Sequence, residues 1–366
     1  MSEEAHPTTD HLATFLKAEP PDTEPPLFLD GGPLGEPGQL GQSEKRWLKI
    51  LDWLQGLGYT FRARYQPDWV PSWLASGKIF IDCEDGRIAG PLMDATRASD
   101  GSFVALKWID RHYSPFEPEI SRFLSKPSLR DDPKNYCVPI FDVLQVPSNP
   151  ATEAIIVVPL LKRVNEPRFE TFGEIVAFFT QMFEVRPVVH PRGGIQFMHK
   201  HGVAHRDCTF NNIMMDATPM YPRPWHPTNP ERRRDWKGRA HHYSRTQRPV
   251  KYYWIDFGHS RRYNLADGPP LERPQPGGDY MAPEHAEELL DTPCDPFPTD
   301  IYYLGNLVRT HYIKKYAGLN FMDKLVADMV QKDPSKRPTI DEVVARFADI
   351  RHALSPWKLR SRLIYK

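Results

Sequence analysis

His205-Arg206-Asp207-Cys208-Thr209-Phe210-Asn211-Asn212, followed later by Trp254-Ile255-Asp256-Phe257-Gly258, is the sequence that decides how this chain folds. It sets a carboxylate in a short loop, an amide five residues on, and a second carboxylate after an apolar strand. Magnesium-assisted phosphoryl transfer needs such groups: one acid to accept a hydroxyl proton and two oxygen ligands to hold the metal against ATP. Upstream lies Val104-Ala105-Leu106-Lys107, and downstream Ala282-Pro283-Glu284. Any one of these short strings could arise by accident, but their order along one chain argues against it.

The pattern H-R-D-x-x-x-x-N with D-F-G resembles the catalytic and metal-binding loops of the eukaryotic protein kinases. The resemblance spans about residues 75 to 350. Within that superfamily, His-Arg-Asp-Cys-Thr and a long basic insertion before Asp-Phe-Gly are similar to the kinase-like proteins of mushroom-forming fungi. The resemblance implies an α+β, bilobal kinase-like fold, with a small antiparallel β lobe carrying one helix and a large, mainly helical lobe. It implies ATP and Mg2+ as cofactors, Asp207 as the base, Asn212 and Asp256 as metal ligands, and Lys107 on the phosphates. Arg206 would take a negative charge from the segment after Asp-Phe-Gly. Glu119 is the expected partner of Lys107, in a helix opening at Glu117-Pro118, with Glu117 as its competitor. Asp300, in Asp300-Ile301-Tyr302-Tyr303-Leu304-Gly305, would hydrogen-bond the loop backbone, and Arg337 would pair with Glu284.

Composition sets the bounds. The chain has 366 residues, with 47 positive and 47 negative side chains, so no global field draws it to nucleic acid or to a membrane. Four cysteines without a C-x-x-C pair read as reduced thiols of an intracellular protein rather than a disulfide framework. No apolar run approaches a membrane span of roughly 18–20 residues, and the acidic start lacks a signal-peptide core. The expectation is a soluble cytoplasmic or nuclear protein with a protein substrate and no membrane partner.

Along the chain, residues 1–43 are rich in Pro, Gly and acids and read as a disordered tail. Trp47, Ile50, Leu51 and Leu54 recur at helical spacing in a helical extension over 44–75. The kinase-like domain follows over 76–355, with a tail over 356–366. Lys78 to Asp82 reads as a short strand, Asp100-Gly101 as a hairpin turn, and Pro159-Leu160-Leu161 as the hinge between lobes. Two segments look inserted. Residues 185–193 place prolines and a glycine where a continuous helix belongs, which predicts a looped-out bulge or wrongly retained codons. Residues 217–250 carry Arg232-Arg233-Arg234, Lys237, Arg239, Arg245, Arg248 and His241-His242. A solvated basic loop is expected there, docking to acidic partners or nucleic acid being the alternative.

Four departures bear on activity. A glycine-rich phosphate loop would put glycines at 85, 87 and 90; the chain has Asp85, Arg87 and Gly90, so only Gly90 is in register. An acidic Asp85 would repel phosphate unless turned away. Thr209 and Gly277 stand where the resemblance expects a lysine and a threonine, which removes a cation from the transition state. The segment from Asp256 to Glu284 has only Ser260, Tyr263 and Tyr280 as hydroxyl residues, so Asp267, Glu272 or Asp279 is expected to offer Arg206 a permanent charge. The leading expectation is an ATP- and magnesium-dependent kinase acting on protein hydroxyls, Ser or Thr ahead of Tyr. A scaffold that keeps the fold without turnover and a small-molecule kinase are the alternatives.

Overall fold

The computed structural model describes residues 40–78, 83–86, 91–183, 194–274 and 279–366. Helix α1 (Gln42–Leu48) starts where Glu44 folds back to accept the Gly41 N–H at 2.8 Å. It is followed by α2 (Leu51–Gly56), strand β1 (Tyr59–Thr60) and α3 (Ser72–Ser76). Strands β2 (Leu92–Arg97) and β3 (Phe103–Asp110) form the predicted hairpin, with Gly101 at φ 71° in its turn, a left-handed conformation that glycine adopts freely. Helix α4 (Glu117–Leu124) then leads to β4 (Asp142–Gln145) and β5 (Glu153–Pro159). These strands make a five-stranded antiparallel sheet in the order β1-β2-β3-β5-β4.

The sheet has two faces because side chains alternate along each strand. Met93, Ala95, Val104, Leu106 and Trp108 point to one face and bury against Trp47, Leu51 and Leu54 of α1 and α2. Trp47 meets Trp108 edge-on at 5.1 Å. The predicted helical extension is thus a structural part of the sheet's core, and each large side chain buried there contributes roughly 1.5–3 kcal/mol. The opposite face presents Leu92, Asp94, Ala105 and Lys107, in register as Leu92↔Lys107 and Asp94↔Ala105.

The elements that follow are short strands and longer helices. They are β6 (Lys162–Arg163), α5 (Phe172–Phe183), α6 (Ile195–Lys200), β7 (Val203–Ala204), β8 (Ile213–Asp216), β9 (Lys251–Trp254), β10 (Arg261–Arg262) and α7 (Pro296–Val308). After these come β11 (Tyr316–Ala317), α8 (Asp323–Met329), α9 (Ile340–Ala353), α10 (Pro356–Arg360) and β12 (Ile364–Tyr365). Helix α5 is apolar nearly all round, as a helix at the centre of a core must be. Phe178, Phe179 and Phe183 interlock there with Tyr312 and Phe347. Asp295 caps α7 by accepting the Phe297 N–H at 2.9 Å. Gly305 lets α8 press against α7, since a Cβ there would lie 2.7 Å from Met329 Cβ. The architecture is α+β, with the five-stranded antiparallel sheet early in the chain and the longest helices after it. No helix among the described residues is long and apolar enough to cross a membrane.

Two sequence expectations change. The 217–250 segment is solvated only in part: Arg223, Arg239 and Arg248 are exposed, but Trp225, His226, Ala240 and Arg245 are buried. Arg233, Arg234 and Arg245 have partners within the chain, which charge counting along a sequence cannot reveal. The 356–366 tail is built into the fold, with β12 pairing antiparallel to β11 and Lys358 over the Phe172 ring. The expectations for residues 1–39, 79–82, 185–193, Arg87, Gly90 and Gly277 lie outside the described residues.

Candidate active site

Lys107 is set on the open face of the sheet by β3. Its Nζ donates to Glu117 Oε1 at 2.6 Å and to Asp256 Oδ1 at 2.9 Å. The expected partner Glu119 is therefore corrected to Glu117. Glu119 bonds Arg111 Nη1 at 2.7 Å and is half-exposed. Two residues on a helix differ by about 200° in direction, so only one of the pair can face inward. Glu117 lies in register with Ile120 and Leu124, the buried stripe of α4, and that spacing was the available signal.

Burial pushes the Glu117 carboxyl up to about 7, against the pull of Lys107, and the nearby Asp256 carboxylate adds to the rise. Burial alone would lower Lys107, but Asp256 and Glu117 hold it charged well above the usual lysine range. Asp256 lies below its ordinary value because the Lys107 charge and hydrogen bond overcome its burial. Gly258 makes room for this cluster: a Cβ there would fall 2.9 Å from Ser114 Oγ and 3.2 Å from Asp256 Oδ1.

The loop 205–212 hangs from one buried carboxylate. Asp300 Oδ2 accepts the His205 N–H at 2.8 Å and Oδ1 the Arg206 N–H at 2.7 Å, while His199 Nε2 lies 3.0 Å from Oδ2. The His205 ring reaches the Ile255 carbonyl at 3.1 Å, joining this loop to the strand before Asp256. Arg206 and Asp256 both have left-handed backbones, at φ 64° and 62°. Such conformations cost about 1–3 kcal/mol each and persist where neighbours over-determine them. The β8–β9 ladder, with Ile213 opposite Trp254, brings Asn212 and Asp256 to the same end of the ribbon.

Asp207 is held through one oxygen. Its Oδ2 accepts Asn212 Nδ2 at 2.6 Å, whereas the buried Oδ1 has no partner among the described residues. Asn212 is engaged through Nδ2, which leaves its amide oxygen for a cation, and Asp256 meets Lys107 through Oδ1, which leaves Oδ2. One amide oxygen and one carboxylate oxygen are hard donors suited to Mg2+, so the donor set fits that ion beside a nucleotide phosphate.

Three other expectations gain geometry. Asp85 is turned away, its carboxylate taken by Trp69 Nε1 at 3.0 Å, Ser72 N at 2.7 Å and Ser72 Oγ at 2.6 Å. Glu272 is the acid that meets Arg206, accepting Nη1 at 2.6 Å. Asp267 instead accepts Asn264 Nδ2 at 2.9 Å, and Asp279 is bonded by Asn306. Arg337 forks onto Glu284, with Nη2 to Oε2 at 2.8 Å. Sequence reasoning missed Asp94 and Arg234, which form an ion pair at 3.2 Å. A carboxylate set directly between Met93 and Ala95 in a strand was the overlooked signal, since a buried charge requires a partner. Compared with protein-family models and with curated proteins, the chain matches none.

Proposed function

We propose that this chain is an ATP- and magnesium-dependent kinase that transfers the γ-phosphoryl group to a protein hydroxyl, Ser or Thr ahead of Tyr. In this reading the five-stranded sheet with α4 is the small lobe of a bilobal kinase-like fold, and the helices from α5 onward are the large lobe. The observation that carries the reading is Lys107 bonded at once to Glu117 and Asp256, with the free Oδ1 of Asp207 beside Asn212. A lysine drawn by two carboxylates is positioned and charged, ready to align phosphate oxygens.

Asp207 Oδ1 receives the proton of the attacking hydroxyl as that oxygen bonds phosphorus and the bond to the ADP oxygen breaks. Asn212 fixes the Asp207 carboxylate by holding Oδ2. Bound Mg2+, held by Asn212 and Asp256, would neutralise charge on the phosphates. Thr209 supplies no cation at the transferred group, which favours slow turnover. Four free cysteines accord with a cytoplasmic or nuclear setting, and the basic insertion accords with the fungal kinase-like proteins.

A scaffold without turnover is the second reading, favoured by Thr209 and the poor glycine loop. Transfer of labelled phosphate from Mg-ATP to the protein itself and to Ser, Thr and Tyr peptides separates the two. Label with wild type that disappears in Asp207→Asn supports the kinase. No label in either, and no thermal shift with Mg-ATP, would overturn it.

A further inference from the structure

Asp94 is fully buried in β2, yet it carries a charge that two arginines answer from different parts of the chain. Arg62, from the segment between β1 and β2, donates through Nε to both carboxylate oxygens at 2.8 and 3.1 Å. Arg234, from the basic insertion, donates through Nη2 at 3.2 Å and stacks its guanidinium 4.0 Å from the Phe103 ring centre. Buried charges are held in place by partners of this kind, because losing one leaves the other uncompensated.

The insertion has structure of its own and is anchored at both ends. Trp225 pairs with Arg233, and Arg232 with Arg239, in isolated β-bridges. The His226 ring receives Thr228 Oγ1 at 3.0 Å, and Thr228 abuts Gly86, where an added Cβ would come within 2.9 Å of its hydroxyl. At the far end Arg245 donates to the carbonyls of Val164, Pro167 and Arg168, and Thr246 Oγ1 to Glu174 Oε1 at 2.9 Å. The segment therefore leaves the helical part after β8, reaches the sheet at Asp94, and returns.

The place it reaches matters. Asp94 pairs with Ala105 and Leu92 with Lys107, so Asp94 and Lys107 share one sheet face. That is the face on which a nucleotide would lie. We propose, resting on the kinase reading, that the insertion is a strap at the mouth of the nucleotide cleft. Arg234 is its positioning residue: it ties β2 to the helical part, and nucleotide uptake and release wait on the Arg234–Asp94 tie. Two of the arginines expected in a solvated basic loop thus serve the protein's own interior.

The test compares wild type, Arg234→Met and Arg234→Lys. It reads stopped-flow release of a fluorescent Mg-ADP analogue, single-turnover transfer at saturating ATP, and amide hydrogen exchange over 92–97 without nucleotide. Arg234→Met is expected to release nucleotide at least tenfold faster and to raise the KM for ATP, with single-turnover transfer within twofold of wild type. Its 92–97 amides exchange faster, and Arg234→Lys falls between. Wild-type release together with wild-type protection in Arg234→Met overturns the strap. If Arg234→Met does not fold, Arg234→Lys decides by the same comparison. A wild type that takes up no Mg-nucleotide defeats the kinase reading alone; exchange over 92–97 then judges the strap by itself.

Discussion

Arg206 Nη1 donates to Glu272 Oε2 at 2.6 Å while its Nη2 takes the Arg273 carbonyl at 2.9 Å. The glutamate is fixed in turn by backbone bonds to Cys294 in both directions, at 3.0 and 2.8 Å. On the kinase reading proposed above, this built-in carboxylate takes the place beside Arg206 that a phosphate would otherwise fill to order the segment. Glu272→Ala is expected to lower kcat about tenfold, on the scale of a lost charged hydrogen bond of roughly 1.5 kcal/mol. Phosphatase treatment of wild type is expected to change nothing. Full activity in Glu272→Ala, or loss of activity on phosphatase treatment, would show that the charge is supplied otherwise.

The Lys107–Glu117 pair predicts a pH dependence. With Glu117 titrating at about 7, its carboxyl is protonated below neutrality and grips Lys107 as an ion only above it. Activity is expected to rise through pH 7. The stability linkage has the opposite sign: a carboxyl raised above its unfolded value of 4.5 stabilises the fold at low pH, and that contribution is lost as pH rises through about 7. A pH–rate profile of wild type and Glu117→Gln checks this, and a limb at pH 7 that persists in the variant would assign it to another group.

The Arg337–Glu284 fork predicts a structural effect away from the chemistry. Burial would raise Glu284, but the hydrogen bonds and charge of Arg337 hold it below the usual carboxylate value. Its stabilisation is therefore present above the ordinary carboxylate range and is lost as pH falls through the folded value. Arg337→Met leaves a buried carboxylate unpaired and is expected to cost about 3–5 kcal/mol, read from urea unfolding at pH 7. A change below about 1 kcal/mol would mean that water replaces the guanidinium without loss.

Gly258→Ala separates geometry from stability. The new methyl would press on Ser114 Oγ, Asp256 Oδ1 and Glu117 Oε2, at 2.9, 3.2 and 3.4 Å. Phosphate transfer is expected to fall at least tenfold, as misplacing a reacting group by a fraction of an ångström does, while Tm moves by only a few degrees. Unchanged transfer would show that the cluster tolerates displacement of Asp256.

What the sequence disclosed follows from the range of each interaction. The loop 205–212 and Asp256 were legible because each sits in a short local pattern, whereas the Asp300 and Arg337 contacts, with partners 94 or 95 and 53 positions away, were expected only from the resemblance to protein kinases. The choice between Glu117 and Glu119 needed the phase of α4, which Pro118 obscured but Ile120 and Leu124 could have fixed. Asp94 and Arg234 meet across 140 positions, and nothing in the local sequence of either identifies the other. The turned-away Asp85 depended in the same way on Trp69 and Ser72, which no spacing rule connects to it.

Asp300 carries a mechanical consequence. One carboxylate beneath two consecutive amides makes the loop that bears Asp207 a passenger of helix α7, which is buried along most of its length. The same grip on the Arg206 N–H helps keep that residue in its left-handed backbone. On the kinase reading proposed above, the loop that bears Asp207 would move with α7 rather than against it, and closure on a nucleotide would fall to the sheet.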